Sequence, residues 1–314
     1  MMGLLNVAVI GAGHMGRYHA EKLAATEGAR LAAIVDPDAA QAGALAKKLN
    51  CAVHAGYRDV LGKVDAAVVA TPTEHHHEIA LALLGAGAHV LVEKPLALTV
   101  GQADELVAAA RRAGRVLQTG HVQRYASAFQ ALAARIDRPL YIEAERLAEF
   151  KPRGTDVDVV LDLMIHDLDL ALALAKSEVT AVGASGFRVL SSDIDIANAR
   201  IEFASGCIAS LSASRVSQAA VRKLRLFQPG LYVSADLQAG RLRYVRRQDG
   251  ALSEAEETHQ GNDALAEQAR AFVAAAQGRS PVAVSGEHGR QALALALEVS
   301  RLVAARLQHH GERA

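Results

Sequence analysis

Residues 6–16 read Asn6-Val-Ala-Val-Ile-Gly11-Ala-Gly13-His14-Met15-Gly16, an apolar strand running straight into a G-x-G-x-x-G turn. Each glycine has its own task. Gly11 permits a tight turn out of the strand, Gly13 lets the backbone approach a pyrophosphate, and Gly16 allows the next helix to pack closely on the strand. The helix that opens at His14 and Met15 presents first-turn N–H groups and the positive end of its dipole to an anion.

Working outward, a second apolar run from Leu31 to Val35 ends at Asp36, twenty residues beyond Gly16. A carboxylate there accepts hydrogen bonds from a ribose 2′-hydroxyl and repels a 2′-phosphate, which favours NAD over NADP. A bare glycine pattern also serves as a close-packed βα turn with no ligand. Strand, helix and acidic residue in register point instead to a bound dinucleotide.

The rest of the chain sets the context. With 314 residues, 51% of them apolar and 22% charged, it is long enough for two domains with a substantial core. The 34 basic and 34 acidic residues cancel, so no basic excess is available to neutralise a nucleic acid. The first strand starts within a few residues of Met1, leaving no room for a signal peptide, and no apolar run reaches the ~18 residues of a membrane span. The expectation is a cytoplasmic protein with no membrane partner. Cys51 and Cys207 stand apart without metal-ligand spacing and read as buried or incidental thiols.

From residue 6 to about 120, short β-type runs at Val7–Ile10, Leu31–Val35, Ala66–Ala70, His89–Val92 and Val116–Gln118 alternate with amphipathic helical stretches. This is the pattern of a doubly wound parallel sheet. Beyond it come a helix near 124–135, a strand near 140–149 and a helix near 158–175. Strand-like segments follow at 179–189, 195–203, 206–214, 221–227, 230–236 and 241–246. With short turns and no intervening helix, these imply a large, mostly antiparallel open sheet. Two helices, 263–277 and 286–308, complete the chain. The fold class is therefore α/β: a Rossmann domain over 1–121 and an α+β domain over 122–314 for substrate and oligomer contacts. The uncovered face of the second sheet is expected to pack on another subunit, giving a homodimer or homotetramer.

Ligands of open parallel sheets sit beyond the carboxyl ends of the strands. Those positions read Thr71-Pro72, Glu93-Lys94-Pro95 and Gly120-His121. Lys94 follows a buried strand and precedes a proline, so an ammonium held there can stabilise charge developing on a substrate oxygen. The plainer alternative is a solvated lysine in a turn. Of His75-His76-His77, three consecutive residues cannot face one point, and His76 is taken as the one that faces the site. Arg124 and Tyr125 are candidates to hold a polar or anionic substrate.

Asp158, Asp162, His166 and Asp169 share one face of a helix at α spacing, opposite Leu161, Met164, Ile165, Leu168 and Leu172. Asp162 can orient His166 and raise its basicity, leaving the other ring nitrogen to take a proton. A solvent-facing acidic stripe with an incidental histidine fits the same pattern. A metal site is weaker, because no third ligand is specified; none is expected.

Taken in order, these motifs resemble the Gfo/Idh/MocA family of nicotinamide-dependent oxidoreductases over essentially the whole chain, with Glu93-Lys94-Pro95 the most diagnostic. The resemblance implies Lys94 as the catalytic lysine, His166 as the acid/base and Asp162 as its companion. It also implies oxidation of a ring hydroxyl of a sugar or cyclitol to a ketone. Cofactor contacts are expected at Gly11, Gly13, His14, Met15, Gly16, Asp36, Thr71, Pro72, His76, Glu93 and Lys94. Substrate contacts are expected at Lys94, His121, Arg124, Tyr125, Asp162 and His166.

Gly120-His-Val-Gln-Arg124-Tyr125 and Asp162-Leu-Met-Ile-His166-Asp-Leu-Asp169 look like the branch acting on carbon 3 of UDP-N-acetylglucosamine, with Tyr125-Ala-Ser-Ala in place of that branch's Phe-Asn-Pro. Arg146 and Arg153 are further candidates for a substrate diphosphate. A free sugar or inositol dehydrogenase, and a non-catalytic NAD-binding sensor, are the alternative readings.

Overall fold

The computed structural model describes residues 3–150, 158–248, 250–259 and 261–311. The chain forms two compact units, Met1–Tyr125 with Asp263–Leu293, and Ala126–Asn262 with Ala294–Ala314.

In the first unit, β1 (Leu5–Ile10), β2 (Ala29–Val35), β3 (Ala52–His54), β4 (Ala66–Val69), β5 (His89–Val92) and β6 (Leu117–Thr119) make a sheet ordered β3-β2-β1-β4-β5-β6. All its pairings are parallel. The order reverses between β1 and β4, which opens a crevice at the strands' carboxyl ends. Connecting helices α1 (His14–Ala24), α2 (Ala39–Leu49), α3 (His76–Gly85) and α4 (Val100–Ala113) are delimited by local chemistry. Asp38 caps α2 by accepting the Ala40 and Gln41 N–H groups, and Thr99 with Gln102 forms a capping box on α4. The inner strands β1, β4 and β5 are buried on both faces over most of their length, as crossover helices require, while the edge strand β3 is exposed.

Among the described residues, the second unit holds α5 (Ser127–Ala133), α6 (Ile165–Ala175) and eight strands. These are β7 (Tyr141–Glu149), β8 (Val179–Phe187), β9 (Ile196–Phe203), β10 (Ile208–Ser217), β11 (Val221–Gln228), β12 (Leu231–Asp236), β13 (Arg241–Gln248) and β14 (Ala251–Thr258), ordered β14-β13-β12-β11-β7-β10-β9-β8. Only β7 with β10 is parallel; the other pairings are antiparallel. On β9, Ala197, Ala199, Ile201 and Phe203 are buried while Asn198, Arg200 and Glu202 are exposed, so one face carries the core and the other is polar.

Four features differ from the sequence expectation. The segment 124–135 is not one helix: a 3₁₀ turn, Val122–Tyr125, precedes α5. Strand β3 has only three residues, too few for a periodic signal. Strand β14 is a glutamate-rich exposed edge, and it pairs with an arginine-rich neighbour in which Arg243 reaches Glu256 at 3.2 Å. The helix α7 (Ala264–Ala276) belongs to the first unit, in place of a single division at 121/122. Its Ala269, Phe272 and Val273 share an apolar cluster with Leu23, Leu31 and Leu45, and Asp263 pairs with Lys22 at 2.6 Å. An amphipathic pattern shows that a helix has a core face but not which sheet that face covers. The last helix, α8 (Gly286–Gly311), runs through the division.

Candidate active site

In the first unit a cavity of about 740 Å³ opens at the carboxyl ends of β1, β2, β4 and β5. Gly11, Gly13, Met15, Asp36, Thr71, Pro72, Glu93 and Lys94 all line it. The glycines behave as their separate roles require. Gly11 has φ +97°, and a Cβ on it would meet the Ala70 carbonyl oxygen at 2.5 Å. A Cβ on Gly16 would fall 1.8 Å from the Gly11 carbonyl oxygen, whereas one on Gly13 would meet nothing within 4 Å. Gly13 therefore keeps open space, while the other two permit close packing.

Asp36 organises this loop. Its Oδ2 accepts the Ala12 N–H at 2.7 Å and its Oδ1 the Asp38 N–H at 2.8 Å, and each oxygen has a further lone pair for a ribose hydroxyl. Among the described residues no side chain caps the start of α1, so its first-turn amides are available to a phosphate. The Thr71 hydroxyl is buried without a hydrogen-bond partner among the described residues. Open space at Gly13, uncapped amides, an orphan hydroxyl and a carboxylate at the β2 end together fit NAD.

His76, expected on the cofactor, sits behind the cavity wall. It is 1% exposed, with Nδ1 2.9 Å from the Pro95 carbonyl oxygen and Nε2 2.9 Å from that of Thr71. Burial lowers its pKa against the raising effect of those two carbonyls, so the neutral ring donates to one of them at a time. His14 is exposed at the start of α1, its ring edge-on to Tyr18.

Glu93 is also buried. Its Oε1 lies 2.6 Å from His19 Nε2, and its Oε2 accepts the Lys94 N–H at 3.1 Å. The sequence reading missed His19. The available signal was its place on the Gly16, His19, Ala20, Leu23 stripe, the core-facing side of α1. Beyond β6, His121 and Tyr125 are buried and Arg124 is half-buried.

The second unit carries Asp162 and His166, both half-buried. Uniform α spacing from Asp158 to Asp169 does not hold. Residues Val160–Met164 form a π-turn, in which the Ile165 N–H reaches back to the Val160 carbonyl. The extra residue changes the phase of the helix beyond it. Asp158 is the cap of this helix: Oδ1 accepts the Leu161 N–H at 2.8 Å, and Oδ2 accepts the Ser300 hydroxyl at 2.8 Å. Asp169 is buried, so the residues do not form a solvent-facing acidic stripe. Arg146 is not available to a diphosphate, because its guanidinium grips Asp167 in a buried two-point pair at 2.7 and 2.8 Å. Arg153 lies outside the described residues.

Known proteins resemble both parts of the chain. Residues 5–121 match the oxidoreductase family with an NAD-binding Rossmann fold, and residues 100–227 match the GFO/IDH/MocA C-terminal domain. The chain belongs to the Gfo/Idh/MocA oxidoreductase family. Among its relatives in that family, the UDP-N-acetylglucosamine 3-dehydrogenase of Acidithiobacillus ferrooxidans is 39% identical over 312 residues, covering 97% of this chain and 99% of that protein. A solved structure of that dehydrogenase superposes with TM-score 0.91 at 38% identity, over 97% of this chain and 99% of the other. The scyllo-inositol 2-dehydrogenase (NAD(+)) of Bacillus subtilis is 30% identical over 67% of each chain. This Gfo/Idh/MocA protein is an NAD-dependent oxidoreductase.

Proposed function

We propose that the protein oxidises carbon 3 of a UDP-sugar such as UDP-N-acetylglucosamine to a ketone. The observation that carries the substrate assignment is the full-length likeness to UDP-N-acetylglucosamine 3-dehydrogenase, against partial coverage by the scyllo-inositol relative. When bound, NAD⁺ accepts the hydride that leaves the sugar carbon. Glycines 11, 13 and 16 admit its pyrophosphate, and Asp36 takes the adenosine ribose. His166, oriented by Asp162, accepts the hydroxyl proton as the carbonyl forms, and the Lys94 ammonium stabilises charge on that oxygen. Arg124 is the candidate for a polar group of the substrate. A nucleotide and diphosphate supply binding energy far from the reacting carbon, which serves to align it. Such chemistry suits a cytoplasmic enzyme, and the open face of the second sheet suits a homo-oligomer.

The test is NADH absorbance with NAD⁺ and a panel of UDP-sugars, free hexoses and inositols. Reduction with a UDP-sugar alone is expected. Lys94→Ala and His166→Ala should each lower kcat/KM by roughly a hundredfold or more, on the scale of general acid–base and oxyanion effects. Reduction with free polyols instead would move the protein to the inositol-dehydrogenase reading. Silence across the panel despite NAD binding would favour a sensor.

A further inference from the structure

We propose that His19 is a positioning residue for Lys94, acting through Glu93. The inference deepens the reading of Lys94 as the group that acts on the substrate hydroxyl, and rests on it. His19 belongs to α1, the helix behind the glycine turn, and Lys94 to the exit loop of β5, so the link joins two elements distant in sequence.

The geometry is that of a relay with one carboxylate at its centre. His19 is 1% exposed and Glu93 7% exposed, with Nε2 and Oε1 2.6 Å apart. The other carboxylate oxygen accepts the Lys94 backbone N–H at 3.1 Å. Gly120 closes the remaining side, since a Cβ there would fall 2.8 Å from Glu93 Oε2 and 2.9 Å from its Cα. Across Lys94, the His76 ring lies between the carbonyls of Pro95 and Thr71. Side chains from two helices thus hold the Glu93-Lys94-Pro95 tripeptide at both ends, and no direct contact between either histidine and a ligand is needed for them to matter.

The electrostatics show why His19 is the sensitive member. Burial raises the Glu93 pKa, but the hydrogen bond and charge of His19, followed by the amide and charge of Lys94, outweigh it and leave the group below its ordinary value. Without His19 the carboxylate keeps its burial and loses its largest compensation. Its pKa then rises, the carboxyl loses its anchor at Oε1, and Oε2 holds the Lys94 N–H in a weaker, less fixed hydrogen bond. Small displacements of a catalytic group are costly to rate.

The experiment uses the full chain with His19→Leu, His19→Gln and His19→Asn. Glutamine reaches the position of Nε2; asparagine does not. Two measurements on the protein without substrate are expected to change in the Leu and Asn variants: the Glu93 carboxyl titration, followed by ¹³C NMR, moves up, and the Lys94 amide exchanges faster with solvent. Glutamine should restore both toward wild type. With UDP-N-acetylglucosamine, kcat per NAD-binding site should fall roughly ten- to a hundredfold in the Leu and Asn variants while NAD⁺ affinity holds, and the primary deuterium isotope effect from carbon 3 should rise.

Should His19→Leu fail to fold, the Gln and Asn pair decides. Equal exchange and titration in those two would overturn the assignment, as would an unmoved Glu93 titration in a folded His19→Leu. Lys94→Ala, run alongside, separates the two claims. Its retention of turnover would sink the reading of Lys94, while the NMR measurements would still decide the His19–Glu93 link.

Discussion

At the scale of single residues, the glycine turn separates binding from folding. Gly13 has free space where a Cβ would go, and Gly16 has a carbonyl oxygen there. Gly13→Ala should therefore leave thermal stability unchanged and weaken NAD⁺ binding more than tenfold by calorimetric titration, because the added methyl occupies the approach of the pyrophosphate. Gly16→Ala should instead destabilise the fold by about 1–3 kcal/mol, the range for overpacking, since helix and turn must move apart. Denaturant unfolding of the two variants checks the contrast. Equal losses of stability would show that the turn is close-packed throughout and that Gly13 has no special openness to a ligand.

At the scale of elements, the helix carrying Asp162 and His166 depends on a loop elsewhere in the same unit. The Ile194 carbonyl accepts the Val159 N–H at 3.0 Å where that helix begins. The neighbouring Asp195 holds the loop through Oδ2, which accepts the N–H groups of Val189, Leu190 and Ser191 at 2.8, 2.7 and 2.9 Å. The Ser191 hydroxyl donates to Oδ1 at 2.6 Å. Burial pushes this carboxyl up, but those hydrogen bonds outweigh it and bring the pKa down to about 2. A depressed pKa means stability that is present above the ordinary 3.8 and is lost as pH falls from there toward 2. Asp195→Asn should cost about 2 kcal/mol at neutral pH, with the gap to wild type closing through that acid window in urea unfolding. A gap independent of pH would refute the electrostatic account.

The same helix shows how far the sequence could be read. Alternation and glycine spacing located β1, β2, β4, β5 and the turn at Gly11–Gly16, because one-dimensional patterns carry that information. An α period cannot reveal the inserted residue of the π-turn, since Asp158, Asp162 and His166 have the same spacing with or without it. Nor can it show that Arg146 is occupied by Asp167 or that His19 meets Glu93, which depend on tertiary pairing across 21 and 74 positions.

At the scale of the whole molecule, the proposed contact between copies is assigned to an aromatic row on the otherwise polar open face of the second sheet. Tyr141, Phe227 and Tyr232 are register partners on β7, β11 and β12. Their rings form a row, with centroids 6.0 Å apart for Tyr141 and Phe227 and 4.9 Å for Phe227 and Tyr232. Phe227 remains 38% exposed, and Arg225 pairs with Glu143 at 3.0 Å beside it. An aromatic row bordered by charge pairs of both signs can meet itself across a two-fold axis, where each copy offers the same surface and the rings gain the burial they lack in one chain. Light scattering after size exclusion should find a dimer or tetramer for the natural chain and a monomer for Phe227→Glu, which places a charge where two such rows would meet. NAD⁺ affinity should be unchanged in that variant, because the cofactor cavity is built from the first unit. A natural chain that stays monomeric at micromolar concentration would refute the contact, and a Phe227→Glu protein that keeps the natural mass would move it to another surface.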